Sequence, residues 1–185
     1  MSIFTSHTVE SAPEEAKSIL EGAQKQLGFL PNLYANLAEA PQALKGYMQL
    51  SELMENSSFS DEEQQVIFLT ASVENGCEFC VAAHSVIAKK MVGVAEDIVN
   101  AIRDRDDTDS DKINALIRFT QRVIQDRGWV DEQAVKTFID SGFTKQQVLE
   151  VVLGVAMKTI SNYTNHITGT QTNKEFEAEA WSNKA

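Results

Sequence analysis

The stretch NGCEFCVAAH, residues 75–84, decides how the sequence around it is organised. Its Asn-Gly pair is typical of a helix end, and no further glycine or proline follows for sixteen residues. A new helix is therefore predicted to begin near Cys77 and to run to about Met91. Residues three, four and seven positions apart share one face of a helix. Cys77, Cys80 and His84 have this spacing, so the sequence predicts that they meet at one site.

Helix signals continue outward from this motif in both directions. Three sequences with the form of a capping box start at Ser11, Ser60 and Thr144, and apolar residues at helical spacing follow each of them. The third box opens the longest apolar helix, toward His166. Alternating apolar and polar residues of the kind that form strands are not found. The sequence therefore predicts an all-α, compact multi-helix fold with the CxxC motif at the N-terminus of a central helix. The charge-rich segment 103–112 is predicted to be a solvated loop.

The length of 185 residues fits a single domain over residues 1–185, because a chain of this size can bury a core of its own. The tail, residues 172–185, is polar apart from Phe176 and Trp181. Such large aromatic side chains are normally buried. We therefore expect the tail to pack on the body of the domain or on a neighbouring subunit, and we expect the chain to form a homo-oligomer.

Charge and targeting signals narrow the classes of partner. The formal net charge is -11 and no cluster of Lys and Arg is present, so nucleic acid is not expected as a partner. The first seven residues lack the basic and apolar regions of a secretory signal, and no apolar run approaches the roughly 18 residues of a membrane span. We therefore expect a cytoplasmic protein without a membrane association.

Both cysteines of the chain lie in the one CxxC motif, so a disulfide cannot link distant segments. In a reducing compartment such a pair indicates redox chemistry or metal binding. A thiol is nucleophilic as its thiolate, and two features favour ionisation here: the helix N-terminus near Cys77 and an imidazole one turn after Cys80. The motif thus supplies a nucleophile, a second thiol that can close a disulfide, and the base His84 within eight residues.

Two other interpretations of the motif stay open. The cysteines could be buried as small apolar side chains, or they could bind zinc together with His84. A structural zinc site needs a fourth ligand, for which His7 or His166 would have to approach. Redox chemistry is favoured over both, because both cysteines and the mid-chain histidine are in register. We therefore expect no metal and no cofactor. His166 is kept as a candidate for the relay or the pocket.

Three stretches resemble the carboxymuconolactone decarboxylase superfamily, and specifically its alkylhydroperoxidase D (AhpD)-like, peroxidase-related branch. They are the CxxCxxxH core within residues 75–84, the GFLPN sequence at residues 28–32, and the NYTNH sequence at residues 162–166. The resemblance implies a compact AhpD-like domain with a core of about residues 27–170. It also implies assembly into trimers or hexamers.

The resemblance implies a role for each residue of the motif. Cys80 matches the cysteine that attacks peroxide, Cys77 the resolving cysteine, and His84 the base in a proton relay. The sequence departs from the family pattern at two positions. Gln65 stands where the relay commonly has a glutamate, and glutamine cannot accept a proton. Phe79 stands where the best-studied members have a histidine.

These observations predict a thiol-dependent antioxidant oxidoreductase that reduces alkyl hydroperoxides through a dithiol/disulfide cycle. Its expected partners are a small-molecule hydroperoxide and a thiol or dithiol reductant. The first alternative is a carboxymuconolactone decarboxylase-type enzyme, although that chemistry has no need of a CxxC motif. The second is a non-catalytic redox-sensing or partner-binding protein, in which disulfide formation changes an interface.

Overall fold

The computed structural model describes residues 3–183, in which all regular structure is helical. This confirms the all-α prediction. Two short segments extend the helical structure, a π-helix (Ile87–Val92) that continues α5 and a 3-10 helix (Lys174–Glu179) in the tail. No helix in the described residues has the length and apolar character needed to cross a membrane. The nine α-helices of these residues are α1 (Glu14–Leu27), α2 (Asn32–Leu37), α3 (Pro41–Glu55), α4 (Asp61–Glu74), α5 (Glu78–Val86), α6 (Glu96–Asp104), α7 (Asp111–Gln125), α8 (Glu132–Asp140) and α9 (Lys145–Thr168).

Two of the three predicted capping boxes are formed. At Ser60 and Thr144 the side-chain hydroxyl accepts a hydrogen bond from the backbone N–H three residues later, and that residue's side chain bonds the N–H of the cap. The prediction at Ser11 is wrong, because α1 begins after Pro13 without a side-chain cap. The Ser11 hydroxyl instead accepts a hydrogen bond from the backbone N–H of Thr8, in the turn that precedes the helix.

Helix α4 lies at the centre of the molecule. It packs against α3, α5, α6, α7 and α9, and its side chains are buried on almost every face. A helix that is apolar all round is stable only when other elements surround it, and Val66, Ile67 and Leu69 are each almost completely buried. The helix that carries the CxxC motif and the long helix α9 both lie on α4. This arrangement brings α5 and α9 together.

The motif helix starts where the sequence predicts. Cys77 is the N-cap residue of α5, and Gly76 before it has a left-handed φ of 65°. After Val86 the helix continues as the π-helix to Val92, and Gly93 ends it with a φ of 82°. The predicted extent, to about Met91, is therefore confirmed. Its last turn and a half has π rather than α hydrogen bonding.

The prediction of a solvated loop over residues 103–112 is wrong at both ends. Helix α6 extends to Asp104 and α7 begins at Asp111, so only residues 105–110 connect them. Arg103 is largely buried and donates to the Ser85 hydroxyl at 2.9 Å and to a Glu179 carboxylate oxygen at 3.0 Å. Because its partners are distant in sequence, the charge of Arg103 alone gave no sign of this contact.

The tail packs on the body of the same chain. Phe176 is buried and makes edge-to-face contacts with Phe29 and Phe79. The indole N–H of Trp181 donates to the backbone oxygen of Arg103 at 3.2 Å. Phe176 therefore packs on the motif helix α5, and Trp181 contacts α6. The last two residues of the predicted tail lie outside the described part of the chain.

Candidate functional site

The two thiols lie side by side where α5 meets α9. Cys77 and Cys80 are both buried and unoxidised. The side-chain amide of Asn165, on α9, donates to the sulfur of Cys80 at 3.2 Å and to the sulfur of Cys77 at 3.7 Å. One amide group therefore holds both sulfur atoms. The donor is better placed for Cys80.

The surroundings of the two thiols shift their pKa values in opposite directions. Cys77 donates a hydrogen bond to Cys80, and this bond together with burial raises the pKa of Cys77 far above its usual value. Burial alone would also raise the pKa of Cys80. The hydrogen bond from Cys77 and the positive charge of Lys158 outweigh burial and lower the pKa of Cys80 to about 5. At neutral pH Cys80 is thus the thiolate and Cys77 is the thiol that donates to it.

His84 is held between two side chains from different helices. Its Nδ1 lies 3.0 Å from Oε1 of Gln65, and its Nε2 lies 2.8 Å from Nζ of Lys158. An ammonium group can only donate, so Nε2 must be the unprotonated nitrogen and Nδ1 carries the hydrogen that the Gln65 oxygen accepts. Burial and the charge of Lys158 both lower the pKa of His84. His84 is therefore a neutral imidazole with a fixed tautomer.

The sequence predicts His84 as the base beside the thiols, and the structure gives its side chain other hydrogen-bond partners. Within residues 3–183 the hydrogen-bond partners of the His84 side chain are Gln65 and Lys158, and neither sulfur is among them. The nitrogen that could accept a thiol proton is occupied by the ammonium group. Gln65, at the relay position of the family pattern, lies beside the imidazole.

Lys158 is the residue that the sequence analysis missed. It belongs to α9 and its side chain is completely buried. Lys158, Ser161, Asn162 and Asn165 follow one another at intervals of three, one and three residues, so they share one face of the helix. That face is directed at Cys80. The sequence did offer one signal for this residue, because Lys158 is a charged residue on the apolar side of the longest helix.

His166 is not brought to the site. It is exposed on α9 and its ring lies 6.4 Å from that of Tyr163, centroid to centroid. Successive residues of a helix point about 100° apart, which explains why Asn165 reaches the thiols and His166 does not. The Nε2 of His7, the other candidate for a fourth zinc ligand, lies 2.7 Å from a carboxylate oxygen of Glu39.

Across residues 3–183 no three His, Cys, Asp or Glu side chains are grouped closely enough to hold a metal ion. Both ring nitrogens of His84 already have hydrogen-bond partners, Gln65 at Nδ1 and Lys158 at Nε2.

A cavity of about 370 Å³ opens onto the thiolate. Cys80, His84 and Lys158 are among its polar lining residues, together with Gln26 and Glu175. The other walls are mainly apolar and aromatic, and they include Leu33, Tyr34, Tyr47, Phe79, Ile87 and Phe176. Burial raises the pKa values of both tyrosines, so their hydroxyl groups stay protonated. Phe79, which replaces the histidine of the family pattern, is thus a wall of the cavity.

The chain is similar to proteins of known family and structure. Residues 41–122 match the model of the carboxymuconolactone decarboxylase family. No curated protein matches the sequence significantly. A solved structure of an alkylhydroperoxidase AhpD core, an uncharacterized peroxidase-related protein from Ralstonia eutropha JMP134, has a TM-score of 0.84 and 20% sequence identity. It aligns over 95% of this chain and 94% of its own.

Two further structures share the fold. An uncharacterized peroxidase-related protein from Silicibacter sp. TM1040 gives a TM-score of 0.79 at 17% identity, over 91% of this chain and 90% of that one. A variant of the debrominase Bmp8 in complex with 2,3,4-tribromopyrrole has a TM-score of 0.80 at 18% identity. The alignment covers 97% of this chain and 96% of that one. The chain thus shares the fold of these structures over nearly its whole length, and its residues 41–122, which hold both cysteines and His84, match the model of the carboxymuconolactone decarboxylase family.

Proposed function

We propose that this chain is a thiol peroxidase that reduces organic hydroperoxides with Cys80 as the nucleophile and Cys77 as the resolving thiol. The observation that carries the proposal is the unequal setting of the two thiols: the amide of Asn165 lies 3.2 Å from the sulfur of Cys80 and 3.7 Å from that of Cys77, and the cavity opens at Cys80. The pKa of Cys80 is lowered and that of Cys77 is raised, in line with this setting. A nucleophile and a resolving thiol need such a difference. The apolar cavity at Cys80 gives an organic substrate access to the thiolate.

The reaction has three steps. The Cys80 thiolate attacks one peroxide oxygen, the O–O bond breaks, and a sulfenic acid forms while an alkoxide departs. The Cys77 thiol then attacks the sulfenic sulfur, water leaves, and a disulfide forms. A thiol or dithiol reductant finally returns both cysteines to the starting state. This cycle needs a reducing compartment, which is why we place the protein in the cytoplasm.

The similar structures agree with this proposal at the level of the fold. Two of them are described as peroxidase-related, and one carries the AhpD name. The departure at Gln65 does not remove a hydrogen-bond partner from His84, because an amide oxygen accepts from Nδ1 as a carboxylate would. It removes a proton acceptor, so the proton of the reaction must be moved by another group.

The direct test is a stoichiometric reaction. Reduced protein receives one equivalent of cumene hydroperoxide, and the alcohol product and the loss of free thiols are measured together. We expect one alcohol formed and two thiols lost per chain, and repeated turnover after addition of a dithiol. The control is the Cys77→Ser, Cys80→Ser double variant. Consumption no faster than that of the double variant contradicts the proposal.

A second candidate function is thiol-dependent dehalogenation of an aromatic compound. Two observations favour it: the debrominase Bmp8 shares the fold, and the cavity places aromatic walls beside a thiolate. Bromide release from 2,3,4-tribromopyrrole in the presence of a dithiol tests this function. Release that depends on Cys80, without hydroperoxide consumption, would select it over the peroxidase.

A further inference from the structure

Lys158 places a positive charge in the interior next to the thiolate. Its side chain is fully buried, at 0% exposure, and it lines the same cavity as Cys80 and His84. Across residues 3–183 no carboxylate forms an ion pair with it. Burying an unpaired ammonium is costly, and an anion beside it offsets that cost. The Cys80 thiolate, whose pKa this charge lowers, is that anion.

The ammonium group also has hydrogen-bond donors to spare. It carries three N–H bonds, and one of them is directed at Nε2 of His84. In the described part of the chain no acceptor other than His84 bonds Nζ of Lys158. Because Lys158 lines the cavity, its remaining donors are available to a molecule bound beside Cys80.

The departing alkoxide of the proposed reaction needs a proton, and the other groups at the site are poor sources of it. The one ring hydrogen of neutral His84 is directed at Gln65, and its second nitrogen has none to give. Gln65 is not an acid. The hydroxyl groups of Tyr34 and Tyr47 are weakened as acids by burial. Among the buried side chains that line the cavity, Lys158 is the remaining acid, while Glu175 lies exposed at the mouth.

We propose that Lys158 is the proton donor of the reaction: its ammonium holds Cys80 as a thiolate and then protonates the alkoxide that leaves when the O–O bond breaks. This inference rests on the proposed function. It assigns the proton to Lys158 instead of to the glutamate and histidine relay that the family resemblance implied. His84 becomes a positioning residue that holds the ammonium group in place.

The atoms and charges of this cycle balance. The Cys80 thiolate, the Lys158 ammonium and the hydroperoxide give the Cys80 sulfenic acid, an alcohol and the neutral Lys158 amine. The Cys77 thiol and the sulfenic acid then give the disulfide and water. A dithiol reductant supplies two electrons and two protons, which restore the Cys77 thiol, the Cys80 thiolate and the Lys158 ammonium. The buried charge pair is thus lost and regained in each cycle.

The test uses Lys158→Met and Lys158→Arg, with exposed Lys145 at the start of the same helix as the matched control, changed to Met. Two rates are measured: alkylation of Cys80 against pH, and a single turnover with cumene hydroperoxide. The pH profiles also depend on the other titratable or charged side chains near Cys80. These are Cys77 and His84 of the motif, Lys158 on α9, Tyr34 on α2, Tyr47 on α3, and Glu175 at the cavity mouth.

The two variants separate the charge of Lys158 from its proton. Lys158→Met should shift the alkylation profile of Cys80 to higher pH and slow both reactions. Lys158→Arg keeps a positive charge, so its alkylation profile should stay near that of the wild type. A guanidinium does not release its proton at neutral pH, so the hydroperoxide reaction of this variant should be slower by on the order of 10²-fold. Lys145→Met should change neither rate.

Several outcomes overturn the inference. Lys158→Arg reacting with hydroperoxide as fast as the wild type would show that charge alone is needed. An unchanged alkylation profile in folded Lys158→Met would show that the ammonium does not hold the thiolate. Should either variant fail to fold, stopped-flow measurement of the wild type with a pH indicator decides: proton uptake from the buffer should lag behind sulfenic acid formation, and simultaneous uptake of one proton overturns the proposal.

Failure of the inference can be told apart from failure of the proposed function. A wild-type protein that is inert toward hydroperoxide refutes the peroxidase and with it the proton transfer. A reactive wild type together with an equally reactive Lys158→Arg variant refutes the proton transfer alone.

Discussion

Asn165 is the residue whose side chain touches both sulfur atoms. Its amide donates to Cys80 at 3.2 Å, and hydrogen bonds to an anion are among the stronger ones in proteins. We predict that Asn165→Ala raises the pKa of Cys80. The hydrogen bond from Asn165 stabilises the thiolate more than the thiol, so its loss disfavours ionisation. The rate of alkylation by iodoacetamide then rises at a higher pH than in the wild type.

The neighbouring residue provides a control for this prediction. His166→Ala changes an exposed side chain on the other side of the same helix turn, so the alkylation profile should be unchanged. An Asn165→Ala profile that matches the wild type would show that the amide does not stabilise the thiolate.

At the scale of the element, helices α4 and α9 are in contact at Gly154. A methyl group added to Gly154 would lie 2.8 Å from Cγ2 of Ile67 and 3.4 Å from Cε of Met54. Because all three positions are in the interior, we predict that Gly154→Ala lowers the free energy of unfolding by about 1–3 kcal/mol. Urea denaturation followed by circular dichroism measures the change.

Gly46 in the middle of α3 is the matched control. Nothing lies within 4 Å of a methyl group added there, so Gly46→Ala should stabilise the protein by about 0.4–1 kcal/mol, through the lower entropy of the unfolded chain. A Gly154→Ala variant as stable as the wild type would contradict the close packing of α4 and α9.

Local signals predicted the elements well, whereas contacts between elements could not be predicted from them. The start of α5 at Cys77 and the face shared by Cys77, Cys80 and His84 follow from helix spacing alone. The partners of His84 come from α4 and α9, which lie 19 and 74 residues away in sequence. No spacing rule relates such distant positions. Lys158 was missed for this reason.

At the scale of the whole molecule, helix α9 leaves an apolar stripe uncovered. Leu149, Val152, Tyr163 and Ile167 lie on it at intervals of 3, 11 and 4 residues, and each is at least 48% exposed. Contiguous exposed apolar surface commonly marks an interface. We propose that this stripe joins copies of the chain in a homo-oligomer, for which the family resemblance implied a trimer or hexamer.

The oligomer prediction is tested by light scattering coupled to gel filtration. The wild type should have a mass of several chains at micromolar concentration, and Leu149→Glu should shift it toward the 20.5 kDa monomer. Exposed Lys174→Glu is a control that adds negative charge away from α9. A monomeric wild type would contradict the prediction.

The central claim is that Cys80 attacks the peroxide and Cys77 resolves the product. Each cysteine is changed to serine in turn, and the reduced variant receives one equivalent of cumene hydroperoxide with dimedone present to trap sulfenic acid. We predict that Cys77→Ser reacts once and that mass spectrometry finds one dimedone adduct at Cys80, because no thiol remains to resolve the sulfenic acid. Cys80→Ser should give no adduct and no alcohol. An adduct at Cys77 in Cys80→Ser, with none in Cys77→Ser, would contradict the assignment.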